Sequence, residues 1–139
     1  MRRPLIAANW KMNLDLESGV NLAGELAAAT HGVSNRDVLI CPPFPLLSDV
    51  GRSLQGSPIM LGAQNMYHQE QGAFTGEVSA GMLKSVGCSH VLLGHSERRH
   101  VFGEDDVYIN KKVLSALQQG LVPVLCVGEL LEQREGGKA

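Results

Sequence analysis

Five short apolar runs punctuate this chain of 139 residues, and turn residues bound each of them. The runs are Leu5–Ala8, Val38–Cys41, Ile59–Ala63, Val91–Leu93 and Val122–Val127. Continuous apolar character, rather than strict alternation with polar residues, is typical of strands that are covered on both faces. The pattern therefore predicts five buried β-strands.

The segments between these runs predict helices. Leu16–Thr30 carries apolar residues at helical spacing and is followed by Gly32, which favours a helix end. Asp105–Gly120 begins with acidic residues, which complement the helix dipole, and ends with glycine. Shorter helices are predicted over Pro45–Leu54 and Val78–Val86. In the two longer helices, the predicted apolar faces consist of Leu16, Val20, Ala23, Leu26 and Ala27, and of Val107, Val113, Leu114 and Leu117.

The alternation of strand and helix, at intervals of roughly 20–35 residues, predicts βαβ units, right-handed crossovers and a parallel sheet. We therefore expect a single α/β domain over residues 1–139. Two closures fit five such units. A flavodoxin-like doubly wound sheet suits the length of the chain, whereas a (β/α)₈ barrel typically needs about 250 residues. Length alone favours the open sheet.

Composition and charge exclude several classes of function. The net charge of −2 at pH 7 provides no basic footprint for nucleic acid. No stretch approaches the roughly 20 apolar residues of a membrane span, and the apolar run that begins at Leu5 is too short for a signal peptide. We therefore expect a soluble, cytoplasmic protein that binds neither nucleic acid nor membrane.

The three cysteines do not suggest a disulfide or a metal site. Cys41, Cys88 and Cys126 lack CxxC spacing and lie in or beside apolar segments, so we expect reduced, packed thiols. The sequence contains no HExxH, P-loop, GxSxG or dinucleotide-binding glycine pattern. We therefore expect neither a metal nor an organic cofactor.

The first candidate site segment, Ala8–Asn13, lies at the end of the first predicted strand. In parallel α/β proteins, ligands bind beyond the carboxyl ends of the strands. Asn9 and Lys11 lie two residues apart and can point into one site, where a lysine ammonium suits a phosphate group. A polar loop with an ordinary surface lysine is the alternative, although Trp10 between two polar residues is unusual for such a loop.

The second candidate is the segment Gln64–Glu77, which is long for a βα loop, where about 2–6 residues is common. Gly72 and Gly76 permit sharp turns. Phe74 between them would be exposed at the loop tip unless something covers it. A loop that contacts a partner and a loop that packs on its own chain both remain open.

The third candidate is His95, which follows the fourth predicted strand and precedes a short helix that Ser96 or a neighbour can cap. The positive end of a helix disfavours a further positive charge, so we expect a neutral imidazole. A neutral imidazole can donate an N–H to a carbonyl oxygen or an enediolate. The alternative is a histidine that merely lies in a helix-start turn.

Together with a later segment, these motifs resemble triosephosphate isomerase. The matching segments are ANWKMN at 8–13, GAQNMY at 62–67, GAFTGE at 72–77, LLGHSERR at 92–99 and VLCVGE at 124–129. Their spacing also matches, and the resemblance extends over the whole chain. It implies a cofactor-free isomerase of glycolysis and gluconeogenesis, with a TIM barrel fold, that interconverts dihydroxyacetone phosphate and D-glyceraldehyde 3-phosphate through an enediolate.

The resemblance also implies roles for individual residues. Asn9 and Lys11 would bind the substrate, with Lys11 offsetting the charge of the phosphate and the enediolate. His95 would be the catalytic residue that polarises the carbonyl and moves protons between the two oxygens, in a family well known for its neutral histidine electrophile. The supporting residues implied around this cluster are Ser96, Glu97 and Cys126.

The same resemblance implies a homodimer. Thr75 would lie near the substrate-binding segment of the other subunit, and Glu77 would face Arg98 of the partner subunit. The implied interface residues are Thr75, Gly76, Glu77 and Arg98.

The chain departs from the family pattern at its end. In the family, the general base follows the sixth strand, and backbone N–H groups after strands six to eight hold the phosphate. We therefore expect a partial barrel, made of the first five parallel strands with their intervening helices, that has exposed edges and little activity alone. The alternative function is a non-catalytic binding or assembly module that pairs with a full-length isomerase subunit. A flavodoxin-like domain with an unrelated ligand is a third hypothesis.

Overall fold

A computed structural model of the protein describes residues 2–137. Five strands alternate with helices in chain order, as predicted. The strands are β1 (Leu5–Asn9), β2 (Asp37–Cys41), β3 (Ile59–Ala63), β4 (His90–Leu93) and β5 (Val122–Leu125). The helices are α1 (Leu16–Ala29), α2 (Leu47–Ser53), α3 (Ala80–Ser85), α4 (Ser96–His100), α5 (Asp106–Gln118) and α6 (Leu131–Glu135).

The end of the fifth strand is one difference from the prediction. The apolar run predicts a strand up to Val127, but β5 ends at Leu125. Cys126 still donates its N–H to the Leu93 carbonyl at 2.8 Å, whereas Val127 is 82% exposed. The neighbouring strand β4 turns away at Gly94, whose φ of 70° lies in the left-handed region. No paired backbone therefore remains beside Val127.

The order of the strands decides between the two closures that the sequence leaves open. All four neighbouring pairs are parallel, and the order across the sheet is β1-β2-β3-β4-β5. A flavodoxin-like sheet has the order 2-1-3-4-5, because its chain reverses direction after the first unit. A consecutive order winds in one direction only and curls the sheet into part of a (β/α)₈ barrel. The preference that length alone gives to the open sheet is therefore wrong, and the partial barrel that the family resemblance implies is confirmed.

The two faces of the curled sheet carry separate apolar clusters. Successive side chains of a strand point to opposite faces of the sheet, and directly paired residues of neighbouring strands point to the same face. Ile40, Leu61 and Leu93 point outward and join the main core under the helices. The smaller inner cluster consists of Leu39, Cys41 and Leu92, with Met60 and Val124 packed against it. The inner cluster forms the floor beneath the carboxyl ends of the strands.

Side-chain caps fix where the helices begin. Asp15 accepts the Ser18 N–H at 3.0 Å, and the Ser18 hydroxyl accepts the Asp15 N–H at 3.0 Å, which forms a reciprocal capping box at the start of α1. The Ser18 hydrogen bonds lower the pKa of the Asp15 carboxyl. Asp105 caps α5 by accepting the Tyr108 N–H at 2.8 Å. These caps satisfy N–H groups that the first turn of a helix leaves unpaired.

The buried face of α5 differs from the prediction. Of the predicted apolar face, Val113 packs against the core, but the other three residues are exposed. The helix instead buries Ile109, Lys112 and Ala116, which recur at helical spacing. A lysine is rarely found at such a position, so a pattern of apolar residues cannot reveal this face. The exposed members of the predicted face are Val107, Leu114 and Leu117.

The outer strands carry exposed apolar side chains. Among residues 2–137, β1 pairs only with β2, and β5 pairs only with β4. Ile6 in β1 is 54% exposed and Val122 in β5 is 52% exposed. The predicted open edges on the first and fifth strands are thus present in this part of the chain. None of the described helices combines the length and hydrophobicity needed to cross a bilayer.

The close packing at Gly62 gives a test of the inner face. A Cβ atom at Gly62 would lie 2.7 Å from Cys41 Sγ and 3.0 Å from Leu39 Cδ1. We expect Gly62→Ala to lower the free energy of unfolding by about 1–3 kcal/mol, because a well-packed site has no room for a methyl group. Urea unfolding followed by circular dichroism measures this change.

Gly24 in α1 provides the matched control, since a Cβ atom there meets nothing within 4 Å. Gly24→Ala should raise the free energy of unfolding by roughly 0.5–1 kcal/mol, because alanine has a higher helix propensity than glycine. Equal effects of the two substitutions would contradict the packing described for Gly62.

Candidate active site

The ends of three strands converge on one cavity. Asn9 is the last residue of β1, Gln64 follows β3, and His95 follows β4 after a glycine turn. Asn9 is in register with Cys41, which belongs to the inner cluster, so its side chain lies on the inner face. These residues line a cavity of about 290 Å³ together with Lys11, Glu97 and others. The sequence-predicted substrate-binding and catalytic residues are therefore brought to the same place.

A larger cavity of about 520 Å³ lies elsewhere, between α2 and α3. Arg52 is among its lining residues and already pairs with Asp49 at 2.9 Å. None of the sequence-predicted site residues lines this cavity. The candidate active site is therefore the smaller cavity at the carboxyl ends of the strands, which the predicted site residues line.

The backbone of Lys11 is held in an unusual conformation. Its φ of 54° lies in the left-handed region, which costs a residue other than glycine roughly 1–3 kcal/mol. Two side chains compensate for this strain. Asn9 Oδ1 accepts the Lys11 N–H at 2.9 Å, and Gln64 Nε2 donates to the Lys11 carbonyl at 2.8 Å. Asn9 and Gln64 therefore determine where the lysine side chain begins.

The ammonium group of Lys11 pairs with Glu97. Lys11 Nζ lies 2.8 Å from Glu97 Oε1, and both side chains are about half exposed. The hydrogen bond from Lys11 is the main cause that lowers the pKa of the Glu97 carboxyl, so Glu97 is an anion at neutral pH. The pair holds a cation at the mouth of the cavity, where an anionic ligand can reach it.

His95 caps the short helix α4 with its own side chain. Its Nδ1 accepts the backbone N–H of Glu97 at 3.2 Å, so the sequence expectation that Ser96 or a neighbour supplies the cap is met by His95 itself. An accepting Nδ1 places the proton of a neutral ring on Nε2. The 3.5 Å separation between Nδ1 and Glu97 Oε2 is too long for a good hydrogen bond, so the amide contact determines the orientation. The remaining N–H is free to donate to a ligand.

The predicted supporting residues Ser96 and Cys126 lie on the other side of His95. With Arg99 and Glu129, they line a neighbouring cavity of about 240 Å³. Burial raises the pKa of the Cys126 thiol, which therefore remains protonated at neutral pH. Cys126 therefore lines this cavity as a neutral side chain rather than as a nucleophile.

The predicted interface loop is exposed. All residues from 72 to 77 are exposed, and the base of the loop is closed by a hydrogen bond of 2.8 Å from Tyr67 N–H to the Val78 carbonyl. The Phe74 ring rests on the Tyr67 ring, with 4.5 Å between centroids, and is still 38% exposed. Within this chain, Arg98 pairs with Glu104 at 2.8 Å. The dimer roles of Thr75, Gly76, Glu77 and Arg98 stay predictions.

Sequence reasoning missed a buried ion cluster beside the site. Glu104 and Lys112 are both buried, and Lys112 Nζ lies 2.5 Å from Glu104 Oε1. The same carboxylate oxygen accepts from Arg98 Nε at 2.8 Å, and Lys112 also donates to Asn65 Oδ1 at 2.9 Å. The cluster therefore links α4 and α5 to the loop after β3. Only the helical spacing of Lys112 from Ile109 could have suggested its burial.

The charge state of this cluster follows from its hydrogen bonds. Burial alone raises the pKa of the Glu104 carboxyl, but the hydrogen bonds from Lys112 and Arg98 outweigh burial and leave its pKa below the ordinary value of 4.5. Burial lowers the pKa of the Lys112 ammonium, and Glu104 opposes that change. The lowered pKa makes the Glu104 carboxyl an anion at neutral pH, and its negative charge favours the charged form of Lys112.

A second arginine, which sequence reasoning also missed, joins the loops after β4 and β5. Arg99 Nε donates to the Gly94 carbonyl at 2.6 Å, and Nη2 donates to the Cys126 carbonyl at 3.2 Å. Its Nη1 pairs with Asp106 at 2.6 Å. Arg99 thereby fixes the turn that precedes His95. Among residues 2–137, no group of three or more acidic, histidine or cysteine side chains is placed to hold a metal ion.

Comparison with known proteins gives one consistent family. The family model described as "Triosephosphate isomerase" matches residues 4–139. The triosephosphate isomerase of Herpetosiphon aurantiacus is 51% identical over 139 residues, which is 100% of this chain and 56% of the relative. That of Rhodopirellula baltica is 54% identical over 134 residues, which is 96% of this chain and 53% of the relative.

A solved structure agrees with these sequence matches. The crystal structure of triosephosphate isomerase from Bartonella henselae is 47% identical, with a TM-score of 0.88, and the match covers 99% of this chain and 56% of that one. The chain thus spans little more than half the length of these relatives.

The buried cluster gives a test of stability. We expect Glu104→Gln to lower the free energy of unfolding by about 3 kcal/mol at pH 7, because it leaves buried cations without their counter-charge. The folded pKa of Glu104 lies below its unfolded value, so its stabilisation is present above pH 4.5 and is lost as the pH falls through the lowered pKa. Urea unfolding at several pH values should show this acid-linked loss in the parent chain and not in the variant.

The exposed pair of Asp49 and Arg52 provides the control. Asp49→Asn should change the free energy of unfolding by less than about 1 kcal/mol. A Glu104→Gln effect as small as that of Asp49→Asn would show that the cluster does not stabilise the fold.

Proposed function

Because this chain belongs to the triosephosphate isomerase family, we propose that its site binds a triose phosphate and provides the lysine and the histidine of the isomerase reaction. The observation that carries the proposal is the convergence of Asn9, Lys11 and His95 on one cavity. Each residue reaches this cavity from the carboxyl end of a strand, where ligands of (β/α)₈ barrels bind. The reaction would interconvert dihydroxyacetone phosphate and D-glyceraldehyde 3-phosphate.

Lys11 would stabilise negative charge in this reaction. Removal of a proton next to the substrate carbonyl leaves an enediolate, and the substrate also carries a phosphate. The Lys11 ammonium is already held at the cavity by Glu97 at 2.8 Å, and its backbone is fixed by Asn9 and Gln64. A cation that is positioned before the reaction stabilises the developing charge without further reorganisation.

His95 would act on the substrate oxygens. Its Nδ1 accepts the Glu97 N–H, which leaves Nε2–H to donate to a carbonyl oxygen. A donor directed at the oxygen where negative charge develops favours formation of the enediolate. Moving a proton between the two substrate oxygens prepares the enediolate for collapse to either isomer. Return of the abstracted proton to the neighbouring carbon, by the general base, then completes the interconversion.

The general base is the part of this chemistry that residues 2–137 do not supply. The family resemblance assigns it to a glutamate after a sixth strand, whereas five strands are described here. We infer that turnover requires further polypeptide at the open edges of the sheet. The single-domain assignment and the cytoplasmic location stay predictions.

An isomerase assay with two components tests this proposal. The 139-residue chain would be mixed with a polypeptide that covers the part of a relative beyond the match. We expect turnover in the mixture, and we expect His95→Gln to lower it by roughly 10²–10⁴, the usual contribution of a positioned acid or base. The chain alone should give only background.

His31→Gln is the matched control, because His31 is exposed in the turn after α1. It should leave turnover unchanged, whereas residual turnover in an identically prepared His95→Gln mixture sets the upper limit for contaminating host enzyme. Equal turnover with His95→Gln and His31→Gln in the mixture would contradict the role of His95. Turnover by the chain alone that depends on His95 would contradict the need for further polypeptide.

We also propose that the exposed loop 72–77 pairs with another isomerase subunit, either in a homodimer or as the assembly module considered as an alternative function. The partly exposed Phe74 at the loop tip supports this role. Met12, Phe44 and Phe102 at the cavity rim are exposed as well, at 95%, 37% and 66%. A loop of this kind from a second subunit would cover apolar surface beside the site.

Binding to a full-length isomerase subunit, measured by analytical ultracentrifugation, tests this pairing. Thr75→Arg should weaken the association at least about tenfold, because it would place an unpaired guanidinium in the interface. Gln55→Arg, an exposed position far from the loop in sequence, is the control and should have no effect. Equal affinities for both variants would remove loop 72–77 from the interface.

A further inference from the structure

A fully buried lysine in α5 contacts the loop that holds the substrate-binding segment. Lys112 Nζ donates to Glu104 Oε1 at 2.5 Å and to Asn65 Oδ1 at 2.9 Å, and it lies 4.5 Å from the centroid of the Tyr108 ring. Burial of an ammonium group carries a large desolvation cost. A methionine of similar volume would fill the same space without that cost. The charge of Lys112 therefore calls for an explanation beyond packing.

The ion pair with Glu104 does not by itself supply that explanation. Glu104 already has a cationic partner in Arg98, at 2.8 Å. What Lys112 adds is the hydrogen bond to Asn65, a residue 47 positions away in the chain. This bond ties α5 to the loop after β3.

From Asn65, the contacts lead directly to the candidate active site. The preceding residue, Gln64, donates from Nε2 to the Lys11 carbonyl at 2.8 Å and to the Cys41 carbonyl at 2.9 Å. The Cys41 carbonyl also accepts the Trp10 N–H at 3.1 Å. One amide group therefore clamps the end of β2 and the segment Trp10–Lys11 together.

The clamp matters because Lys11 is strained. A residue other than glycine keeps a φ of 54° only where its surroundings hold it there. Asn9 holds the N–H of Lys11, and Gln64 holds its carbonyl. Rotation of the Gln64 amide would release one of these two constraints.

We propose that Lys112 is a positioning residue, which fixes Asn65 and thereby the Gln64 clamp on Trp10 and Lys11. This inference rests on the proposed function, in which Lys11 is the substrate-binding cation. Lys112 does not itself line the cavity of Lys11 and His95. Its effect on the site passes through the loop after β3.

The single tryptophan of the chain reports on this segment. Trp10 is 8% exposed, and its fluorescence should be poorly quenched by acrylamide while the clamp is closed. We expect Lys112→Met to raise the quenching constant about twofold or more through local opening. Lys111→Met is the matched control, with the same change of charge at the adjacent, exposed position of α5, and should match the parent chain.

Asn65→Ala keeps the test valid if Lys112→Met fails to fold. It leaves the Glu104–Lys112 pair in place and removes only the link to the loop. We expect it to raise quenching as much as Gln64→Ala does. Quenching at the parent level in either Asn65→Ala or Gln64→Ala would overturn the proposal.

A double-variant cycle separates positioning from general stabilisation. If Lys112 acts through Gln64, the pair Lys112→Met and Gln64→Ala should quench no more than Gln64→Ala alone. A lysine that only stabilises the fold would give additive effects, and additivity would refute the proposal. None of these quenching measurements requires turnover. The positioning role of Lys112 can therefore be refuted while the isomerase assay succeeds, and it can be supported while the isomerase assay fails.

Discussion

Consecutive parallel pairing of the five strands is the constraint on which the rest of the structure depends. Parallel strands must be joined by crossovers, and here every crossover returns the chain to the amino-terminal edge of the sheet. All carboxyl ends therefore meet at one rim. Asn9, Gln64 and His95 are separated widely in sequence, yet each lies at or just beyond the carboxyl end of a strand and so reaches the same cavity. The shared register also places the inner apolar cluster beneath them as a floor.

The second level of organisation is electrostatic. Lys11 and Glu97 pair at the exposed mouth of the cavity, where the ions stay hydrated and available to a ligand. Glu104 and Lys112 pair in the interior, where desolvation makes each ion dependent on the other. The exposed pair is suited to ligand binding, because an anionic ligand can take the place of Glu97 beside the Lys11 ammonium. The buried pair is suited to fixing position, because breaking it is costly.

The two outer strands of the sheet, β1 and β5, expose apolar side chains that have no covering partner among residues 2–137. β1 and β5 have one partner strand each among residues 2–137, and apolar side chains such as Ile6 and Val122 face solvent there. Unpaired strand edges with apolar side chains favour pairing with further strands. The relatives contain nearly as much chain again beyond the matched part. The same surface that supports the proposed need for further polypeptide would also favour aggregation of residues 2–137 in isolation.

The sequence by itself determined the five strands, the positions of the main helices and the three segments that carry the site. These features are local: apolar runs, acidic helix starts such as Asp105, and polar residues directly after strands are visible within a few positions. Periodicity and length did not reveal the order of the strands, because the same alternation of strand and helix fits both an open sheet and a barrel, and length favoured the open sheet. The resemblance of the site motifs selected the barrel, and the consecutive strand order confirms it. The buried face of α5 was also decided by tertiary structure. A pattern of apolar residues selects Leu114 and Leu117, whereas the fold buries Lys112. Glu104, just before α5, and Asn65, 47 positions away in the chain, compensate the cost of burying its charge.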